Sequence, residues 1–189
     1  MYAMNKSKGW SAQAIKPMTT FKTVDEFWGV YQHVKRPDNM PSGTVINIFV
    51  EGIKPVWETQ EHEQGGSWNI RMAKGYANQL WEDLLLGFIG EQFDCCNEVT
   101  GVVLSVTDKF DKISLWMRHG NETEIVNRVK QDMVRIMELP LDVRMEFSLF
   151  FPPAKTNTQP KSKDQPSEGA KPAAKQHGNR DRELKQYRA

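Results

Sequence analysis

Two tryptophans stand where the sequence turns rather than where it packs: Trp10 in "NKSKGW" and Trp57 in "GIKPVWE". Tryptophan is mostly buried, so a ring in a loop offers a flat apolar surface for some other purpose. Two such rings facing across a slot can sandwich a planar base, at about 1–3 kcal/mol per stacked base. Glu58 follows Trp57 directly. A carboxylate only accepts hydrogen bonds, and guanine presents two adjacent donors, N1–H and the exocyclic N2 amine, that it can take together. A nearby backbone N–H would serve the guanine O6. Methylation at N7 makes the ring cationic and strengthens a tryptophan sandwich. Lys109 and Lys112, in "SVTDKFDKISL", sit near the turn of a hairpin and would suit a trailing phosphate chain.

Catalytic patterns are absent. There is no G-x-S-x-G, H-E-x-x-H, Walker loop or G-x-G-x-x-G. The four histidines, His33, His62, His119 and His177, read as solvated polar residues at helix ends, in loops and in the tail. Glu61, His62 and Glu63 read as a polar loop before Gly65 and Gly66 rather than as metal ligands. The two cysteines, Cys95 and Cys96, are adjacent and read as reduced thiols. No apolar run approaches the ~18 residues of a membrane span, and the N-terminus lacks a signal-peptide core. The expectation is a noncatalytic binding protein with no metal and no cofactor.

Those residues need elements to position them. Residues 1–151 read as one mixed α/β domain and 152–189 as a Pro-, Lys- and Gln-rich tail expected to be disordered. The formal net charge is +1, but the tail carries nine basic and four acidic residues, so the domain is net acidic. Three helices are predicted. "TVDEFWGVYQHV" opens on a capping box of Thr23 and Glu26. Its apolar stripe leaves Val24 and Trp28 together on one edge. "ANQLWEDLLLGFIGEQF" is apolar over more of its circumference than one core face needs. "NETEIVNRVKQDMVRIMEL" is an ordinary amphipathic helix with Asn121 and Glu124 as its start signal. Strands are predicted in "SAQAIKPMTTF", "TVINIFV", "WNIRM", "TGVVLSV", "KISLWMR" and "VRMEFSLFF". Trp68 and Trp81 are expected in the core.

In order and spacing, "NKSKGW", "FKTVDEFWGVYQHV", "GIKPVWE", "GGSW", "LWEDLLLGFIGEQFD" and "DKISLW" closely resemble the eukaryotic translation initiation factor 4E family, over about residues 5–151. The resemblance implies an α+β fold, a curved antiparallel sheet of about eight strands with three helices on its convex face. It implies binding of the 7-methylguanosine cap of messenger RNA in the concave mouth. Trp10 and Trp57 match the stacking pair, Glu58 the reader of the guanine edge and Trp116 the N7-methyl contact. Lys109, Lys112 and Lys155 match cap-phosphate positions. On the convex side, Val24, Trp28, Asp83, Leu86 and Ile89 match the surface that receives a Tyr-x4-Leu-Φ helix of a scaffold or repressor protein.

The sequence also departs from that pattern. Thr107 and Ser67 stand where such proteins commonly carry arginine, which should weaken the hold on phosphate. Glu82 replaces a usual leucine. The chain starts close to Trp10, so the N-terminal extension of such factors is expected to be missing. The implied protein is a cytoplasmic, and also nuclear, monomer that pairs with its scaffold to start translation. The alternative is a regulatory paralogue that occupies caps without productive scaffold recruitment. A cap-hydrolysing enzyme would need acidic metal ligands, for which only Glu61 and Glu63 are available.

Overall fold

The computed structural model describes residues 1–5, 15–140 and 142–151. The chain divides into Met1–Ala154 and Lys155–Ala189, and every described residue belongs to the first unit. Trp10, Lys155 and the tail from Pro152 onward lie outside the described residues.

One antiparallel sheet carries the fold. Its strands are β1 (Tyr2–Asn5), β2 (Lys16–Pro17), β3 (Thr44–Phe49), β4 (Gly66–Met72), β5 (Val99–Val106), β6 (Asp111–Met117) and β7 (Met145–Leu149). They lie in the order β2-β1-β3-β5-β6-β4-β7. The helices are α1 (Val24–Tyr31), α2 (Ala77–Ile89) and α3 (Thr123–Ile136). The α+β arrangement is as expected, with seven strands described instead of about eight. The predicted strand through "SAQAIKPMTTF" is the main correction. Its described part contributes only Lys16 and Pro17, opposite Ala3 and Tyr2, and beyond them single bonds tie the Met18 amide to the Met1 carbonyl at 2.9 Å and the Met1 amine to the Thr19 carbonyl at 2.8 Å. Tyr2–Asn5, not anticipated as a strand, fills the place between β2 and β3.

Alternation of side chains sorts the sheet into two faces. Ile46, Ile48, Trp68, Ile70, Val102, Leu104, Ile113 and Leu115 join the main core with Phe27, Trp81, Leu84, Leu85, Val129 and Met133 of the helices. Fully burying each large apolar side chain contributes about 1.5–3 kcal/mol. Val45, Phe49, Val103 and Trp116 point the other way and form a second, smaller cluster with Ile53.

The helices are placed by particular contacts. Thr23 caps α1 by accepting from the Glu26 amide at 3.2 Å, and the Glu26 carboxylate reaches back to the Lys22 amide at 2.7 Å. The capping box is therefore present, with its return bond one residue early. α3 starts at Thr123, and its N-cap Glu122 makes no side-chain bond, so Asn121 is not the cap. It stands one residue too early to reach the first free amides. Trp68 fixes α3 to the sheet instead, its indole N–H donating to the Val126 carbonyl at 3.0 Å. Gly87 lets α2 approach α3, since a Cβ there would lie 2.5 Å from Ile136. That closeness explains a glycine mid-helix, where it costs about 1 kcal/mol against alanine. No described helix is long and apolar enough to cross a membrane.

Candidate nucleotide-binding face

The face of the sheet away from the helices is where the predicted chemistry converges. The loop after β3 carries Trp57 and Glu58. Ile53 and Pro55 are buried and anchor its start. Trp57 is half-buried, packed on the cluster that holds Phe49, Val103 and Trp116, while Glu58 is exposed beside it. The structure thus brings Trp57 and Trp116 to one face, with Glu58 at its edge.

The residue that holds this loop is His62, and it is fully buried, contrary to the solvated role expected of it. Its Nδ1 lies 2.9 Å from the Val56 carbonyl and 3.2 Å from the Thr59 hydroxyl, and its Nε2 lies 2.9 Å from the Thr100 hydroxyl. A carbonyl only accepts, so Nδ1 carries the proton and Nε2 accepts from Thr100. The ring also meets Trp116, Phe49 and Phe150 edge to face, at centroid distances of 5.1, 6.1 and 5.5 Å. Thr100 is available because β5 bulges there, the pairing with β6 slipping between Val99 and Gly101. Gly101 in turn gives Phe49 its place, since a Cβ would lie 2.5 Å from that ring. His62 faces inward with both nitrogens engaged, so it does not join Glu61 and Glu63 as a ligand. No group of three metal-ligating side chains converges among the described residues. No periodicity marks His62 in "TQEHEQGG"; the only hint was a histidine between the tryptophan-bearing loop and a strand start.

Burial pushes the His62 imidazole below its ordinary value of 6.5, with the Val56 bond opposing in part. A histidine with a depressed folded pKa leaves the folded state binding fewer protons than the unfolded one. Stability is then full above about pH 6.5 and is lost as pH falls from there toward the lowered value. We expect urea midpoints to drop between pH 7.5 and 5, and His62→Asn to flatten that slope. An equal slope in the variant would remove His62 as its source. His62→Asn should itself cost about 1–3 kcal/mol at pH 7.5 through the lost buried bonds.

Across β5, β6 and β4 the open face is laid out in rows. Gly101, Trp116 and Ser67 pair across the first, Val103, Ser114 and Asn69 across the second, and Ser105, Lys112 and Arg71 across the third. The first is aromatic at its centre. The second is neutral and polar, with Ser114 donating to Asn69 Oδ1 at 2.8 Å and Asn69 Nδ2 donating to the Ser67 hydroxyl at 3.1 Å. The third is basic. Rows are two residues apart, so the basic row lies about 13 Å from the aromatic one. Lys109 is exposed in the hairpin beyond the basic row. Thr107 closes that hairpin through bonds with Phe110, whose amide donates to the Thr107 hydroxyl at 3.3 Å. Position 107 therefore serves the turn here and supplies no charge.

A second surface lies on the helix side. Val24 and Trp28 are 69% and 41% exposed, an uncommon state for such residues. With Leu86 and Ile89 they line a groove of about 640 Å³ together with Phe21 and Phe93. Asp83 does not line this groove. It lies toward α3, and burial and the nearby Glu138 raise its pKa. Glu82 is ion-paired with Arg36, which follows α1.

Comparison with known proteins adds to this geometry. The family model described as eukaryotic initiation factor 4E matches residues 1–167. Eukaryotic translation initiation factor 4E-4 of Caenorhabditis elegans is 38% identical over 136 residues, 72% of this chain and 64% of that protein. Eukaryotic translation initiation factor NCBP of Oryza sativa is 39% identical over 133 residues, 70% of this chain and 59% of that protein. The chain thus spans about three fifths of the length of these relatives. Among solved structures, a complex of C. elegans eIF4E-3 with the 4E-binding protein Mextli and a cap analog superposes with a TM-score of 0.75 at 28% identity. That match covers 78% of this chain and 87% of the other.

Proposed function

From the membership of this chain in the eukaryotic initiation factor 4E family, we infer that its open face binds the 7-methylguanosine cap of messenger RNA and that its helix-side groove takes a helix of a scaffold protein. The observation that carries the reading is the Trp57–Glu58 loop, clasped by His62 onto the face that holds Trp116. Trp57 and Trp10 stack on the base, Glu58 accepts from its N1 and N2 donors, and Trp116 lies by the N7-methyl group. Lys109, Lys112 and Lys155 hold the phosphates. The complex of C. elegans eIF4E-3 with a cap analog and Mextli supports both halves by analogy. Nothing in this scheme breaks a bond, so the protein acts by holding. Its working state is a heterodimer of one chain and one scaffold.

Titration with 7-methyl-GTP should quench tryptophan fluorescence at concentrations where GTP does little, because only the methylated ring is cationic. Equal quenching by both ligands would sink the sandwich.

The Arg36–Glu82 ion pair favours a second reading. Neither residue lines the groove, but Glu82 stands one turn before Leu86 on α2, and a charged pair where such proteins carry leucine bears on the choice of partner. On this reading the protein occupies caps while engaging repressors in place of the initiation scaffold. Affinity capture from cell extract with wild type and Trp28→Ala separates the two readings by which partners depend on Trp28.

A further inference from the structure

We propose that Arg71 is a phosphate-binding residue of the open face, taking over the charge that Thr107 does not supply. The inference rests on the cap-binding reading above and deepens it. Arg71 ends the open-face series Ser67, Asn69, Arg71 along β4, and it pairs directly across from Lys112 on β6. It is exposed, and among the described residues no carboxylate forms an ion pair with it. Its guanidinium lies over the Phe110 ring, 5.6 Å from the centroid. That contact leaves its N–H edge for an anion while limiting the rotamers it must lose on binding.

The row order makes the ligand class specific. A base stacked by Trp57 beside Trp116 directs its sugar over the neutral second row and its phosphates over the basic third. Position 107 continues β5 on one flank of β6, whereas Arg71 comes from β4 on the other flank. The guanidinium has therefore changed sides of the phosphate chain, and its planar fork still suits two phosphate oxygens at once. Of the nearby acids, Asp111 is buried on the opposite face and paired with Lys74 at 2.6 Å, Asp108 lies in the hairpin and Glu146 lies on β7. Glu146 is already paired with Arg144 at 2.8 Å.

The test measures 7-methyl-GTP and 7-methylguanosine binding to wild type, Arg71→Gln and Arg71→Lys by tryptophan fluorescence at several salt concentrations. We expect Arg71→Gln to weaken 7-methyl-GTP about tenfold, flatten its salt dependence and leave 7-methylguanosine unchanged. Arg71→Lys should fall between. Adding Thr107→Arg to Arg71→Gln should return most of the loss. Unchanged 7-methyl-GTP affinity in Arg71→Gln overturns the assignment, and so does an equal loss for both ligands, which would mean that Arg71 shapes the face. If the wild type binds neither ligand, the base-binding reading fails and takes this inference with it.

Discussion

Glu58→Ala should weaken 7-methyl-GTP binding by about 3 kcal/mol, a factor of more than a hundred. The reasoning concerns what is left behind. A stacked guanine has its faces covered, so its N1–H and N2 amine have little access to water. Remove the acceptor and both donors stay desolvated without a partner. Glu58→Gln is the sharper control. It keeps the shape and one acceptor but turns an NH2 group toward a donor, so it should recover little. Glu58 is exposed and makes no hydrogen bond or ion pair among the described residues, so thermal stability should not move. Calorimetric titration of both variants checks this, and wild-type affinity in Glu58→Ala would reject Glu58 as the base reader.

Trp28→Ala should cost at least about 2 kcal/mol in binding a peptide with a Tyr-x4-Leu-Φ helix, as expected for an aromatic anchor at the centre of an interface. Trp28 is partly supported from below, with ring centroids 5.1 Å from Phe27 and 5.8 Å from Tyr31. Its ring is thus presented in a fixed orientation, with little entropy left to lose on binding. The cap analogue should bind the variant normally, because the sheet separates the groove from the open face. Joint loss of peptide and cap-analogue binding, with a lowered melting temperature, would make Trp28 a core residue instead.

The sequence was legible where one period dominates. Helices α1 to α3 and strands β3 to β7 follow from runs of period 3.6 or 2, and Trp68 and Trp81 lie in the core as expected. β1 and the truncated β2 were not legible, because short edge pairs are fixed by their neighbours and not by their own pattern. Trp57 and Glu58 stood out through their unusual adjacency. His62 did not, since a lone histidine in a polar run gives no sign of which way it faces. "SWNIRM" already alternates Ser67, Asn69 and Arg71, but their order matters only once β4 is registered against β6. The chain carries that information in its pairing and not in any one segment.

The alternation of the strands has a consequence for how substitutions act. Each central strand gives one set of residues to the core beneath the helices and the intervening set to the open face. Neighbouring residues therefore serve different surfaces. Positions 67 and 71 can exchange charge without disturbing Trp68 or Ile70, which hold the helices in place. Likewise, position 82 can change its partner chemistry without touching Trp116. A substitution on one of these two surfaces therefore leaves the packing that supports the other in place.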